Sequence, residues 1–340
     1  MSTQPVLSPE ARDSALLERC AHACEELKRQ IARVVVGQDA AVEAMLITLL
    51  ARGHALLVGV PGLAKTLLVS SLAKALDLSF GRVQFTPDLL PADITGTDVL
   101  NEVEREGRVR REVSFVPGPI FKNLVLADEV NRTPPKTQAA LLEAMQERKV
   151  TVGGTTRPLP DPFLVFATQN PIEQEGTYPL PEAQLDRFLL EVHVDYPSEA
   201  EELEIARRTT SGPLPELEAV VTVDDLRQIG AFVPRIPATD EAVSLAVRMA
   251  RASRPGAADA PSEVTEYVRY GAGPRGSQAL VLAAKARAAL RGEPAADIED
   301  VAAVALPGLR HRLVLSYRAE VDGVTDVDLV RAVQKRVGLK

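Results

Sequence analysis

The stretch His54-Ala-Leu-Leu-Val-Gly-Val-Pro-Gly-Leu-Ala-Lys-Thr66 decides how this chain is read. Its opening is a short unbroken apolar run, the mark of a buried strand, and the run stops at Gly59. From Ala64 to Leu76 apolar residues return at helical spacing. A buried strand, a tight loop and a helix, in that order, open an α/β unit. In that context the backbone amides of Gly59-Val-Pro-Gly-Leu-Ala-Lys65-Thr66 and the helix N-terminus can cradle phosphates. Lys65 would neutralise the β and γ oxygens, and Thr66 would ligate Mg²⁺. Ala64 stands where the general pattern G-x-x-x-x-G-K-[ST] has its second glycine. A first-turn helical residue needs no positive φ, so the cradle is expected to accept the methyl group.

Working outward, Asn123-Leu-Val-Leu-Ala127 and Phe163-Leu-Val-Phe-Ala-Thr168 have the length and polar ends of parallel strands. The first ends in Asp128-Glu129: Asp128 suits a contact to metal-bound water, and Glu129 suits activation of an attacking water. The other ends in Thr168-Gln-Asn170, whose amide can orient water against a γ-phosphate. Leu190 to Val194 alternates as a fourth strand. Residues 10–34, Asp39 to Ala51 and Lys136 to Arg148 read as helices, and two hairpins are expected, Asp98 to Phe115 around Glu106-Gly107 and Val150 to Leu159 around Gly153-Gly154. The first hairpin sets Arg105, Arg108, Arg110 and Arg111 against Glu102, Glu104, Glu106 and Glu112, the pattern of a solvated hairpin with cross-strand ion pairs.

After Tyr196-Pro197 and Gly212-Pro-Leu-Pro215 strand signals vanish, and helical patterns run to Lys340. This divides the chain into a helix over 1–34, an α/β domain over 35–212 and a helical domain over 213–340. Phosphoryl transfer also calls for a cation at the γ-phosphate, a role in which an arginine contributes ~10³–10⁵ in rate. Arg187, after Pro181-Glu-Ala-Gln-Leu-Asp186, and Arg275, at the start of the helix Arg275 to Arg291, are the candidates.

Composition limits the alternatives. The 340 residues carry 39 basic and 47 acidic side chains, a net charge of −8, so no overall positive field draws in nucleic acid or anionic lipid. With no tryptophan, five tyrosines and eight phenylalanines, platforms for stacking bases are scarce. No apolar run reaches membrane-spanning length, and Met1 to Glu10 lacks the pattern of a signal peptide, so a cytoplasmic protein is expected. Cys20 and Cys24 fall on one stripe with Leu16, Leu27 and Ile31, where cysteine acts as a small core hydrophobe.

Together these residues resemble the AAA+ ATPases, and among them the MoxR family. The resemblance is carried by Val36-Gly-Gln38, the alanine-bearing loop to Thr66, Asp128-Glu-Val-Asn-Arg-Thr-Pro-Pro-Lys-Thr-Gln138, Leu141-Leu-Glu-Ala-Met145, Ala167-Thr-Gln-Asn-Pro171, Gly176 to Phe188 and Gly273-Pro-Arg275. It implies an α/β nucleotide domain, a parallel sheet flanked by helices, with the two hairpins as helix-2 and pre-sensor-1 inserts, plus an all-helical lid. It implies a homo-oligomer, a hexameric ring with ATP between subunits. Gly59, Pro61, Gly62, Leu63, Ala64, Lys65, Thr66 and Leu67 would hold the nucleotide, and Val36, Gly37 and Gln38 would lie near adenine. Thr66 and Asp128 would hold Mg²⁺, Glu129 the water, and Asn170 would be sensor 1. Arg187 would be the finger reaching the next subunit, Arg275 sensor 2 of the lid, and Arg132 and Glu182 would lie near the interface. Gly273 replaces a serine found in many relatives. The resemblance further implies a chaperone that remodels a protein complex with a von Willebrand factor A domain partner. A metal-chelatase subunit is the neighbouring alternative, and a nucleic-acid motor a more distant one.

Overall fold

The computed structural model describes residues 9–105, 108–172 and 176–339. Ahead of the sheet come α1 (Pro9–Ala32) and α2 (Asp39–Leu50). The first half then runs β1 (Ala55–Val58), α3 (Lys65–Ala75), β2 (Phe80–Gln84), α4 (Pro91–Thr95), β3 (Gly96–Arg105) and β4 (Arg108–Pro117). It continues with β5 (Leu124–Asp128), α5 (Pro135–Glu147), β6 (Lys149–Val152), β7 (Thr155–Pro158), β8 (Leu164–Gln169), α6 (Glu182–Leu185), β9 (Leu190–His193) and α7 (Glu199–Thr210). The C-terminal part holds α8 (Val223–Phe232), α9 (Asp240–Ala252), α10 (Ser262–Tyr267), β10 (Val268–Tyr270), α11 (Pro274–Arg291), α12 (Ile298–Leu309), β11 (Val314–Leu315), α13 (Tyr317–Asp322) and α14 (Asp326–Arg336).

The main sheet has the order β2-β5-β8-β1-β9, parallel throughout. Alternation along the middle strand feeds two cores. Leu164 and Phe166 point to the core shared with α1, α2 and α3, whereas Val165 and Ala167 point to the core under α5. Burial on both faces is why β5 and β8 read as continuous apolar runs. Both hairpins form: β3 pairs with β4 and β6 with β7. The turn residues Glu106 and Gly107 lie outside the described residues. Glu102 and Arg111 are cross-strand partners with an Nε–Oε1 ion pair at 3.1 Å, as the mixed-charge pattern predicts. Arg157 ties the two hairpins together, stacking 3.9 Å from the Phe115 ring and reaching Asp98 at 3.4 Å.

Cys20 and Cys24 are buried in the stripe of α1, which packs on α3 and on α11 of the lid. In the C-terminal part, Thr222 with Asp225, Asp297 with Asp300 and Thr325 with Asp328 form capping boxes that start α8, α12 and α14. The lid also holds one small antiparallel pair, β10 with β11, which its helical sequence pattern did not signal. Among the described residues no helix is long and apolar enough to cross a membrane.

His54, at the mouth of β1, joins three elements. The amide of Val165 donates to its Nδ1 at 3.0 Å, which leaves Nε2 to donate to the Met145 carbonyl at 3.3 Å. Burial, aided by the Arg148 charge, pushes its pKa down to about 4, so the ring is neutral in the fold. The unfolded ring binds a proton more readily, so this contribution is complete above about pH 6.5 and is lost as pH falls toward 4. The expected loss is about 3 kcal/mol. Denaturant unfolding from pH 8 to 4 measures it, and a His54→Gln variant should show a flatter acid limb.

Candidate active site

Parallel pairing in the order β5-β8-β1 sets three strand ends side by side, with Val58 opposite Gln169 and Ala127 opposite Ala167. The loops leaving those ends enclose a cavity of about 390 Å³ lined by Pro61, Gly62, Leu63, Ala64, Lys65, Thr66, Leu67, Asp128, Glu129, Thr168 and Asn170. The sequence assigned ten of these eleven residues to the site. Gly59 lies just behind, its carbonyl accepting from the Lys65 ammonium, which also donates to the Val60 carbonyl at 2.9 Å. Burial lowers the Lys65 pKa, and the charges of Asp128 and Glu129 oppose that shift.

Ala64 departs from expectation. It is the N-cap of α3 rather than a first-turn residue, and its φ of 57° is left-handed, as is that of Gly62 at 89°. The chain must reverse there to bring the first amides of α3 to the cavity wall. Alanine adopts this conformation at a cost of roughly 1–2 kcal/mol that a glycine would not incur.

The carboxylates are held from several sides. Asp128 is buried: its Oδ1 accepts from the Thr168 hydroxyl at 2.6 Å, and its Oδ2 pairs with the Arg82 guanidinium at 2.7 Å. The Thr168 hydroxyl also accepts from the Glu129 amide at 2.8 Å. Glu129 has a φ of 57°, and its Oε2 accepts from Gln84 Nε2 at 2.8 Å and faces Arg132 Nε at 3.3 Å. The sequence reading missed Arg82 and Gln84, because it did not identify β2. Asn170 is buried; its Oδ1 accepts from the Ile172 amide, while its Nδ2 donor has no partner. An unpartnered donor in this wall suits an anionic oxygen or a water held against one.

Val36, Gly37 and Gln38 do not line this cavity. Gln38 donates to the Asp195 carbonyl at 2.7 Å, beyond the end of β9, and a side chain at Gly37 would run into the Glu201 carboxylate. Arg187 and Arg275 stand apart as well. Both line a different cleft, of about 360 Å³, together with Arg52, Arg148, Asp186 and Arg312, and it shares no residue with the first. Arg187 donates to the Leu142 carbonyl at 2.6 Å, while its Nε is buried without a partner. Arg275 is largely exposed, at the head of α11, whose N-cap Gly273 offers no side chain to the helix amides. Glu182, the first residue of α6, is exposed.

The strand order, the loop before α3 and the helical bundle that follows define the class of protein, an AAA+ domain with its lid. Residues 54–190 match the ATPase family associated with various cellular activities (AAA), and residues 261–333 match the AAA lid domain. The sequence is 44% identical over 318 residues to Chaperone MoxR1 of Mycobacterium tuberculosis, covering 94% of this chain and 82% of that protein. It is 34% identical over 346 residues to Protein MoxR of Methylorubrum extorquens, covering 95% and 97%. Among solved structures, a protein of Cytophaga hutchinsonii determined as a candidate ATPase superposes with a TM-score of 0.86 at 40% identity, covering 96% of this chain and 97% of that one. The chain belongs to the MoxR family of AAA+ ATPases.

Two sets of variants check the cavity. Lys65→Ala should abolish binding of a fluorescent ATP analogue, whereas Glu129→Gln should bind it normally and turn over ~10²–10⁴-fold more slowly. At the strained position, Ala64→Gly should retain binding and gain up to about 1 kcal/mol in unfolding free energy, while Ala64→Val should lose both affinity and stability.

Proposed function

We propose that this protein hydrolyses ATP in a cleft that a second copy of the chain completes, and that the cycle drives remodelling of a protein complex. The observation that carries the reading is the division of charge. One cleft holds the phosphate loop, Asp128, Glu129 and Asn170; the separate second cleft collects the arginines, Arg187 and Arg275 among them. Neither is a complete phosphoryl-transfer site, and stacking copies head to tail would bring one against the other.

In this reading Lys65 and the amides at the head of α3 bind the β- and γ-phosphates. Thr66 and Asp128 would hold Mg²⁺, and hard oxygen donors suit it. With one hydroxyl and one carboxylate as its donors, such an ion would be bound mainly through phosphates and water. The bound ion would neutralise charge on the β and γ oxygens. Glu129, steered by Gln84 and Arg132, takes the proton from the attacking water as the water oxygen bonds to the γ-phosphorus and the bond to ADP breaks. Asn170 Nδ2 orients that water. Arg187 and Arg275 of the adjacent copy stabilise the charge that develops.

A closed head-to-tail ring, hexameric as the family resemblance suggests, satisfies every such interface at once. The remodelling role is supported by the name of the relative Chaperone MoxR1. A partner with a von Willebrand factor A domain is carried over from the resemblance, and a cytoplasmic location from the residue pattern of the sequence.

Mixing two inactive variants tests the shared site. Glu129→Gln and Arg187→Ala should each turn over little ATP. Combined in equal amounts, about a quarter of head-to-tail interfaces pair an intact Glu129 with an intact Arg187, so turnover should recover toward that fraction of wild type. No recovery, with subunit exchange demonstrated, would contradict the assignment of Arg187 to the neighbour's site.

A further inference from the structure

Asp186 immediately precedes Arg187, and its carboxylate reaches the lid. Its Oδ1 accepts from Arg312 Nε at 2.8 Å, and its Oδ2 lies 4.0 Å from the Arg275 guanidinium. Arg312 has only 3% of its side chain exposed, and its remaining nitrogens reach the carbonyls of Phe188 at 2.7 Å and Leu189 at 3.2 Å, besides Gly308 and His311 of the lid itself. The segment that carries Arg187 is therefore wrapped around a buried guanidinium of the lid. Burial disfavours the charged form of Arg312, the Asp186 carboxylate offsets that, and the nearby Arg275 charge works against it. One carboxylate thus stands between two cations that would otherwise repel each other. Among the described residues it is also the only acidic side chain lining a cleft with five arginines.

We propose that Asp186 is a positioning residue for the neighbour's reaction: by bridging Arg312 and Arg275 it locks the lid to the finger segment, so that Arg187 and Arg275 face the adjacent copy's nucleotide as one fixed pair. This rests on the shared-site reading above. In this proposal Asp186 acts through Arg312 and Arg275, and its effect is on geometry alone. Displacing a catalytic cation by about 1 Å can cost on the order of 10²-fold in rate.

Two variants test the bridge. Asp186→Asn keeps the shape and removes the charge. The double change Asp186→Asn with Arg312→Gln removes both charges, so that no uncompensated guanidinium stays buried. At least one should melt cooperatively, bind the fluorescent ATP analogue at its own loop with wild-type affinity and keep KM within about threefold, while kcat falls at least about tenfold. Mixed with Glu129→Gln, that variant should regain activity, because its own Glu129 is intact and the partner supplies an ordered pair of arginines. The mixture of Arg187→Ala with Glu129→Gln is the control. If the control recovers and the Asp186 variants keep wild-type kcat, fail to recover on mixing, or both lose cooperative melting, the positioning role is overturned. If the control itself does not recover, the shared-site reading fails, and this inference with it.

Discussion

Parallel strands are joined by crossovers, so the C-terminal ends of β5, β8 and β1 emerge on one edge of the sheet, and their register decides what meets there. Ala127 sits opposite Ala167, and Val58 opposite Gln169. A slip of one residue would turn Leu164 and Phe166 into the wrong core and carry Thr168 away from Asp128. In the observed register the Thr168 hydroxyl serves both the Asp128 carboxylate and the Glu129 amide, linking two strand ends through one oxygen. The phosphate loop, the acidic pair and Asn170 depend on that alignment, as does the cavity they share.

Electrostatics is the ground for the proposal that a second copy completes the site. The cavity at the sheet edge has two carboxylates but, from the phosphate loop, only Lys65; Arg82 and Arg132 are already engaged with Asp128 and Glu129. The excess of guanidinium lies in the other cleft, where it is tolerated because Asp186 and backbone carbonyls compensate Arg312, and Arg275 remains largely solvated. Like charges gathered without an anion repel one another, whereas an arriving phosphate relieves that repulsion. In the proposed assembly such a surface would meet another copy's nucleotide.

Much of this was legible in the sequence, for identifiable reasons. β1, β5 and β8 are buried on both faces and so announced themselves as apolar runs, and their polar ends marked the site. The pairs Gly153-Gly154 and Glu106-Gly107 marked the hairpins. β2 escaped because its buried positions are Gly81, Val83 and then Phe85, so that a glycine in the inward register broke the alternation, and Arg82 and Gln84 went unrecognised with it. The left-handed turn at Ala64 was invisible for a different reason: residue type names the preferred conformation, while the demand to reverse the chain comes from the tertiary fold. The grouping of Arg275 with Arg187 likewise depends on how the lid docks, through contacts such as Arg312 to Asp186 that lie 126 residues apart in sequence.

The central claim is that one copy's arginines complete another copy's nucleotide site. The most direct measurement is a structure of the assembled Glu129→Gln variant with ATP and Mg²⁺, in which the distances from each γ-phosphate to the nearest guanidiniums are read. The account predicts Arg187 and Arg275 of the adjacent copy within hydrogen-bonding reach, about 2.7–3.2 Å, while Lys65, Asp128 and Asn170 come from the chain that holds the nucleotide. A γ-phosphate contacted by Arg275 of its own chain, or by no arginine of a neighbour, would contradict it.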